Sequence, residues 1–145
     1  MADAAEMTNP FTRPETLPEV KGGLTPYLTV DGAMKAADFY VRAFGAQIAA
    51  ALPTDEKGRS CHVHLYVNGS SLMLSDHFPE YCPEPAAAPA GFNLTLQVGD
   101  IDAAVARAEA AGATVTMPIA EMFWGARYAQ VRDPFGVVWA FNQPL

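Results

Sequence analysis

The sequence predicts an α+β fold of two β-α-β-β-β modules. Three observations predict it. The chain repeats one pattern in its two halves, each half follows a single amphipathic helix with three strand-like runs, and the strands alternate apolar with polar residues. The 145 residues suit one domain or two small fused halves, and half of them are apolar, enough for a real core.

The first module is read over residues 23–76. "TPYLTVDGAMKAADFYVRAFGAQI" opens as an alternating strand ending at Val30, followed by Asp31 as a candidate helix cap. Ala37, Tyr40, Val41 and Phe44 form one helical stripe, and Gly45-Ala46 ends the helix. Strand-like runs follow at 47–52, 60–67 and 70–75. The second module, 92–145, repeats this with "NLTLQVGDIDAAVARAEAAGATV". Its strand ends at Val98, Asp100 can cap the helix, and Ile101, Ala104, Val105 and Ala108 form the stripe before Gly112-Ala113. Its later runs are 114–118, 127–132 and 137–142. Residues 77–91, rich in proline and alanine, link the modules. Residues 1–22, with Pro10, Pro14 and Pro18, read as a flexible arm or an edge-covering segment.

Alternation sorts each sheet into two faces. Leu28, Val30, Val63, Leu65, Leu72, Leu74, Leu94, Leu96, Ala129 and Val131 belong under the helices, and Cys61 reads as an inert thiol among them. The opposite face carries hydroxyls, amides, imidazoles and phenols, and almost no Lys or Glu. That composition fits a partly enclosed cleft better than a solvated sheet. Its expected lining is Thr25, Tyr27, His62, His64, Met73, Ser75, Asn93, Thr95, Trp124, Arg127, Tyr128 and Gln130. Trp139 and Phe141 fall on the core side.

The net charge of −7 opposes a nucleic-acid partner, which needs a basic face. No apolar run reaches the length of a membrane span, and no leader-like apolar segment opens the chain. Cys61 and Cys82 form no CxxC pair, and two free thiols without an export signal point to the cytoplasm.

His62 and His64, two residues apart on one strand face, have a spacing that can chelate a metal given a third ligand, with Glu121 or Asp76 the nearest candidates. The alternative is two polar cleft residues. His62 is the candidate general base, because imidazole titrates near neutrality. Tyr27, Phe123, Trp124 and Tyr128 can form an aromatic wall for a flat or cationic ligand, or pack at a junction or dimer seam. Arg127 beside them can hold an anion or pair with Glu121. Asp133-Pro134-Phe135-Gly136 reads as a structural turn between the last two strands. Cys82 has no activating base in view.

The paired modules, with "YLTVDGAMKAADFYVRAFGA", "SLMLSDHFPE" and "FWGARYAQVRDPFGVVWAFN", resemble the vicinal oxygen chelate superfamily of glyoxalases, bleomycin-resistance proteins and dioxygenases, over about residues 24–141. Within it the chain is most similar to the PhnB-like branch. The resemblance implies that the mixed sheets of the two modules curl around a cleft and that the protein is a homodimer, and in the metalloenzymes of the group four strand residues hold a metal. Aligned by motif, those positions are Thr25, Met73, Asn93 and Ala140, which supply no imidazole and no carboxylate. The expected function is therefore that of a glyoxalase/bleomycin-resistance-like protein that binds a small molecule without metal or other cofactor. Two alternatives stand beside it. One is a lyase, isomerase or dioxygenase with a site rearranged around His62 and His64. The other is a non-catalytic interaction scaffold. The methyltransferase label attached to the branch has no support, since no glycine-rich cofactor loop follows the first strand.

Overall fold

The computed structural model describes residues 17–82 and 87–145. The order of elements is β1 (Tyr27–Thr29), α1 (Ala33–Phe44), β2 (Gln47–Ala51), β3 (Val63–Val67), β4 (Ser70–Ser75), β5 (Leu94–Gln97), α2 (Ile101–Ala111), β6 (Thr114–Met122), β7 (Ala126–Arg132) and β8 (Val138–Pro144). They form two four-stranded sheets, ordered β1-β4-β3-β2 and β5-β8-β7-β6. In each sheet the first strand runs parallel to the last, and the other pairs are antiparallel. The internal repeat thus folds twice into one topology, and the sheets are curled without closing into a barrel. None of the described helices is long and apolar enough to cross a membrane.

The two halves share a single core. Val63, Leu65, Leu72 and Leu74 of the first sheet and Val131, Trp139 and Phe141 of the second belong to one buried cluster with both helices. Helix α1 is the bridge. Its Phe44 ring lies 4.2 Å from Trp139 and 6.0 Å from Phe141, and Tyr40 meets Trp139 edge-on at 5.0 Å. Aromatic pairs at such separations add about 0.5–1.5 kcal/mol each beyond the area they bury.

A buried carboxylate organises that bridge. Asp133 accepts the backbone N–H groups of Phe135 (2.8 Å) and Val137 (3.0 Å), the indole N–H of Trp139 (2.9 Å) and the hydroxyl of Tyr40. The first two shape the β7–β8 turn, in which Gly136 takes φ 90°. The last two tie the turn to the core. Burial, and then the neighbouring Asp133 charge, pushes the Tyr40 phenol far above its ordinary ionisation range, so it stays a donor.

A second buried carboxylate performs the capping expected of Asp31. Asp31 is exposed, and the cap position of α1 is Gly32 at φ 99°, with no side-chain cap of its own. Asp76 reaches across from the end of β4 instead. It accepts the N–H groups of Gly32 (2.7 Å), Ala33 (3.1 Å) and Ser60 (2.8 Å). Two orphan donors of the helix are thereby satisfied by a residue over forty positions away in the chain. In the second module Asp100 does cap its own helix, through the N–H of Ala103 at 3.1 Å. Gln143, at the end of β8, adds an acceptor for the N–H of Ile101 at 2.9 Å.

Other boundaries differ from expectation for local reasons. Strand β3 begins at Val63 rather than residue 60, so Cys61 is half-buried ahead of the strand and is not a core thiol. Strand β6 runs past Pro118 to Met122, because it is an edge strand whose register shifts on both sides of Met117 absorb the missing N–H. Residues 1–16 of the arm and 83–86 of the linker lie outside the described residues. The rest of the arm lies on the first sheet. Ser71 N–H donates to the carbonyl of Lys21 (2.9 Å), Lys21 N–H donates to Ser71 Oγ (2.8 Å), and the Tyr66 hydroxyl donates to the carbonyl of Glu19 (2.7 Å). The Lys21 ammonium stands 4.1 Å from the centre of the Tyr66 ring.

Beneath this strap, His64 is 2% exposed and its Nε2 lies 2.7 Å from Ser71 Oγ. Burial, and then the neighbouring His62, lowers its pKa below the ordinary 6.5.

Three outcomes follow from these contacts. Asp133→Ala strands four donors in the core and should cost about 3 kcal/mol or more in urea unfolding, with Tyr40→Phe costing about 1 kcal/mol. Asp76→Ala should cost about 2 kcal/mol and Asp31→Ala less than about 0.5 kcal/mol, the reverse of what sequence position alone suggests. For His64, the folded state takes up its proton less readily than the unfolded chain. Its contribution is therefore complete above about pH 6.5 and is lost as pH falls through its lowered folded value. His64→Gln should flatten part of that acid-side loss in unfolding curves recorded from pH 7.5 to 5.

Candidate functional site

Each helix packs on its own sheet, and most of the expected cleft residues stand on the opposite faces. Register sets them in rows. On the first sheet Tyr27, Met73 and His64 lie side by side across β1, β4 and β3, with Thr29 and Ser75 in the next row. Thr25, just before β1, is half-buried. On the second sheet Thr95, Ala140 and Gln130 form one row across β5, β8 and β7, and Gln97, Asn142 and Tyr128 form the next.

The second face is a hydrogen-bonded surface without formal charge among these residues. Trp124, at the β6–β7 turn, donates its indole N–H to Asn142 Oδ1 (3.1 Å), and Asn142 Nδ2 donates to Gln97 Oε1 (2.9 Å). Gln130 donates to the Tyr128 hydroxyl (2.9 Å), and Thr95 Oγ1 donates to Asn93 Oδ1 (2.6 Å). The Trp124 ring meets Tyr128 edge-on at 5.4 Å and Phe123 at 5.1 Å. Trp124 is half-exposed and Phe123 almost wholly so. Asn142 and Gln97 were not among the residues expected to line the cleft. The signal for them was the same period of two, carried one step beyond Ala140 and Thr95.

On the first face the two imidazoles have separate partners. His62 Nδ1 lies 2.9 Å from the Tyr27 hydroxyl, which also donates to the carbonyl of Cys61 at 3.2 Å. The Tyr27 and His62 rings are tilted together, 5.8 Å between centres. His64, by contrast, is turned to Ser71 under the strap. The two side chains thus do not converge, and neither Asp76 nor Glu121 joins them. Asp76 is committed to three backbone donors, and Glu121 is an exposed residue on β6, in the other sheet. Among the described residues no group of three His, Cys, Asp or Glu side chains is placed to hold a metal ion.

Arg127 leaves the expected set. Its parity is opposite to that of Tyr128 and Gln130, so it turns to the helix side, where its guanidinium grips Asp102 of α2 at 2.8 and 3.1 Å. That pair, and not Glu121, is its partner, and the guanidinium holds the Asp102 carboxyl below its usual range.

A cavity of about 540 Å³ lies where the modules meet, lined by Leu24, Pro26 and Leu72 from the first and by Asn93, Thr95, Leu96 and Trp139 from the second. Asn68 bridges the same seam with a hydrogen bond to the carbonyl of Gln97 at 2.9 Å. The cavity takes in Asn93 and Thr95, whereas the Tyr27–His62 pair and the Trp124–Tyr128 pair stand outside it.

Comparison with known proteins agrees with this architecture. Residues 23–141 match the sequence profile of the glyoxalase/bleomycin resistance protein/dioxygenase superfamily. An uncharacterised protein of Mycobacterium bovis is 40% identical over 131 residues, covering 87% of this chain and 86% of its own. A crystal structure of an antibiotic-binding protein from Streptomyces sp. CB03234 superposes with a TM-score of 0.64 at 30% identity, covering 89% of this chain and 98% of that one. A Pseudomonas aeruginosa protein superposes with a TM-score of 0.69, also at 30% identity, over 83% of this chain and 96% of that one. With the repeated topology and the profile in agreement over most of its length, the chain belongs to the glyoxalase/bleomycin resistance protein/dioxygenase superfamily.

Proposed function

We propose that the protein binds a flat, small organic molecule on the polar face of its sheets, without a metal. The observation that carries this reading is the surface built by Trp124, Tyr128, Gln130, Asn142 and Gln97, where aromatic edges alternate with neutral amides already held by one another. Such a surface offers stacking area and directional hydrogen bonds at little ordering cost. The four positions that carry metal ligands in metalloenzymes of this superfamily are Thr25, Met73, Asn93 and Ala140 here, a set too poor in nitrogen and charge for Zn, Ni or Fe. The similar Streptomyces protein, described as antibiotic-binding, supports a sequestering role.

We extend the reading to a homodimer. The outer edges of β1 and β5 carry no partner strand among the described residues, and both border the polar faces. A second copy paired there would wall in the ligand. The placement near the PhnB-like branch rests on the sequence motifs, and the cytoplasmic setting on the two free thiols.

The test is a fluorescence titration of chelator-treated protein with flat aromatic compounds. Trp139 is buried and Trp124 half-exposed, so quenching on binding should come from Trp124. We expect Trp124→Ala to weaken binding about tenfold, equivalent to about 1.4 kcal/mol, and treatment with chelator to leave it unchanged. Binding that appears only after a metal is restored would overturn the proposal.

A further inference from the structure

We propose, resting on the flat-ligand reading above, that the cavity between the modules receives a neutral aliphatic substituent of the bound molecule. The ligand class is thereby narrowed to a flat head that lies on the amides of the second sheet and carries an uncharged hydrocarbon chain into the seam.

The cavity, of about 540 Å³, has walls suited to hydrocarbon. Leu24, Val67 and Leu72 line it from the first module, and Leu94, Leu96 and Trp139 from the second. The indole N–H of Trp139 is already given to Asp133, so the ring offers carbon rather than a donor. Leu24 is 88% exposed, and Leu94 and Leu96 are half-buried, which leaves apolar surface for an occupant to cover. None of the described lining residues carries a formal charge. Polar groups in the wall already have partners inside the protein. Asn68 donates to the carbonyl of Gln97 (2.9 Å), Thr95 donates to Asn93 (2.6 Å), and Ser71 Oγ accepts from the Lys21 N–H (2.8 Å) and lies 2.7 Å from His64 Nε2. An ionised group would exchange water for walls without a counter-charge. A hydrocarbon chain gains about three- to fourfold in affinity for each methylene it buries.

Gln97 joins this cavity to the surface that carries the flat head. It lines the cavity, and its Oε1 accepts from Asn142 Nδ2 (2.9 Å), while Asn142 Oδ1 accepts from the indole of Trp124 (3.1 Å). Register sets Gln97, Asn142 and Tyr128 in one row across β5, β8 and β7, with Thr95, Ala140 and Gln130 in the row beside it. Neighbouring strands lie about 4.8 Å apart, so each row spans about 10 Å, the length of a small fused-ring system. A head lying along the rows from Tyr128 therefore ends at β5, where Thr95 and Gln97 already belong to the cavity wall. A chain attached at that end has the apolar seam as its next contact.

Two coumarin ethers separate the seam from the flat head. 7-Methoxycoumarin has the head alone, and 7-hexyloxycoumarin adds an alkyl chain to it. Binding is followed by the polarisation of the probe's own fluorescence. The wild type should bind the hexyl ether about thirtyfold or more tightly than the methyl ether. Ser70, exposed at the start of β4, lines the cavity, and Ser70→Phe sets a ring there. With an unchanged melting temperature, this variant should cut the preference to about threefold and keep its affinity for the methyl ether within about twofold. Leu24→Asp, at a site exposed enough to spare the fold, puts a charge beside the chain and should lower the preference several-fold. Trp124→Ala should weaken both ethers by the same factor, since one molecule occupies both places. Equal binding of both ethers by the wild type, as when side chains of a second copy fill the seam, would overturn the seam assignment and leave the flat-ligand reading standing. So would a preference that survives in both Ser70→Phe and Leu24→Asp, or a hexyl ether insensitive to Trp124→Ala while the methyl ether is weakened. Binding of neither ether would overturn the flat-ligand reading itself, and this proposal with it.

Discussion

The carboxylate of Asp133 is the joint on which the rest of the structure depends. Each half of the chain has one helix, too little to cover its own sheet and make an independent core. The solution is to pack the two helices against each other in one core, with α1 reaching over to Trp139 and Phe141 of the other half. That places a phenol and an indole, both with polar hydrogens, in the driest part of the molecule. Buried donors without acceptors cost more than most single contacts return. Asp133 meets both, and meets two backbone donors of its own turn besides. The turn, the helix and the two sheets are fixed by one group.

The first module repeats the principle with Asp76. Its carboxylate closes the helix N-terminus that Gly32 leaves open and also fixes the N–H of Ser60. Gln143 occupies the matching place at the end of β8 and bonds the matching helix. In both modules the residue that ends the last strand therefore holds the start of the helix. That contact closes the β-α-β-β-β unit on itself and keeps the helix on one side of its sheet. The open polar faces follow directly. A sheet with its only helix locked to one side must leave the other side to water, to a ligand or to a second chain.

Much of this architecture could be read from the sequence because period carries it. Alternation placed Leu65, Leu74, Trp139 and Phe141 in the core and Tyr27, Tyr128 and Gln130 opposite them. What period could not carry was contact between distant residues. Asp31 has the right type and place for a cap, and nothing local reveals that Asp76 would take its work. The turn Asp133-Pro134-Phe135-Gly136 was legible as a turn, but a turn aspartate ordinarily bonds only its own backbone, and its bonds to Tyr40 and Trp139 arise from packing. Arg127 was misplaced by its neighbours, since proximity to Tyr128 in sequence means the opposite face in a strand. Pro118 ended a predicted strand too soon because the irregular pairing of an edge was not foreseeable from one segment.

The two histidines show how far one strand can separate like from like. His62 and His64 share a face and a chemistry, and the sequence offered them as a pair. The strap of residues 17–22 changes that. It bonds Ser71 and Tyr66, and Ser71 in turn bonds His64, so this imidazole is committed within the protein. His62 lies just ahead of β3, where the neighbour within reach is the phenol of Tyr27. One imidazole is buried against Ser71 and the other is paired with a phenol. A metal would need both, and the strap removes one.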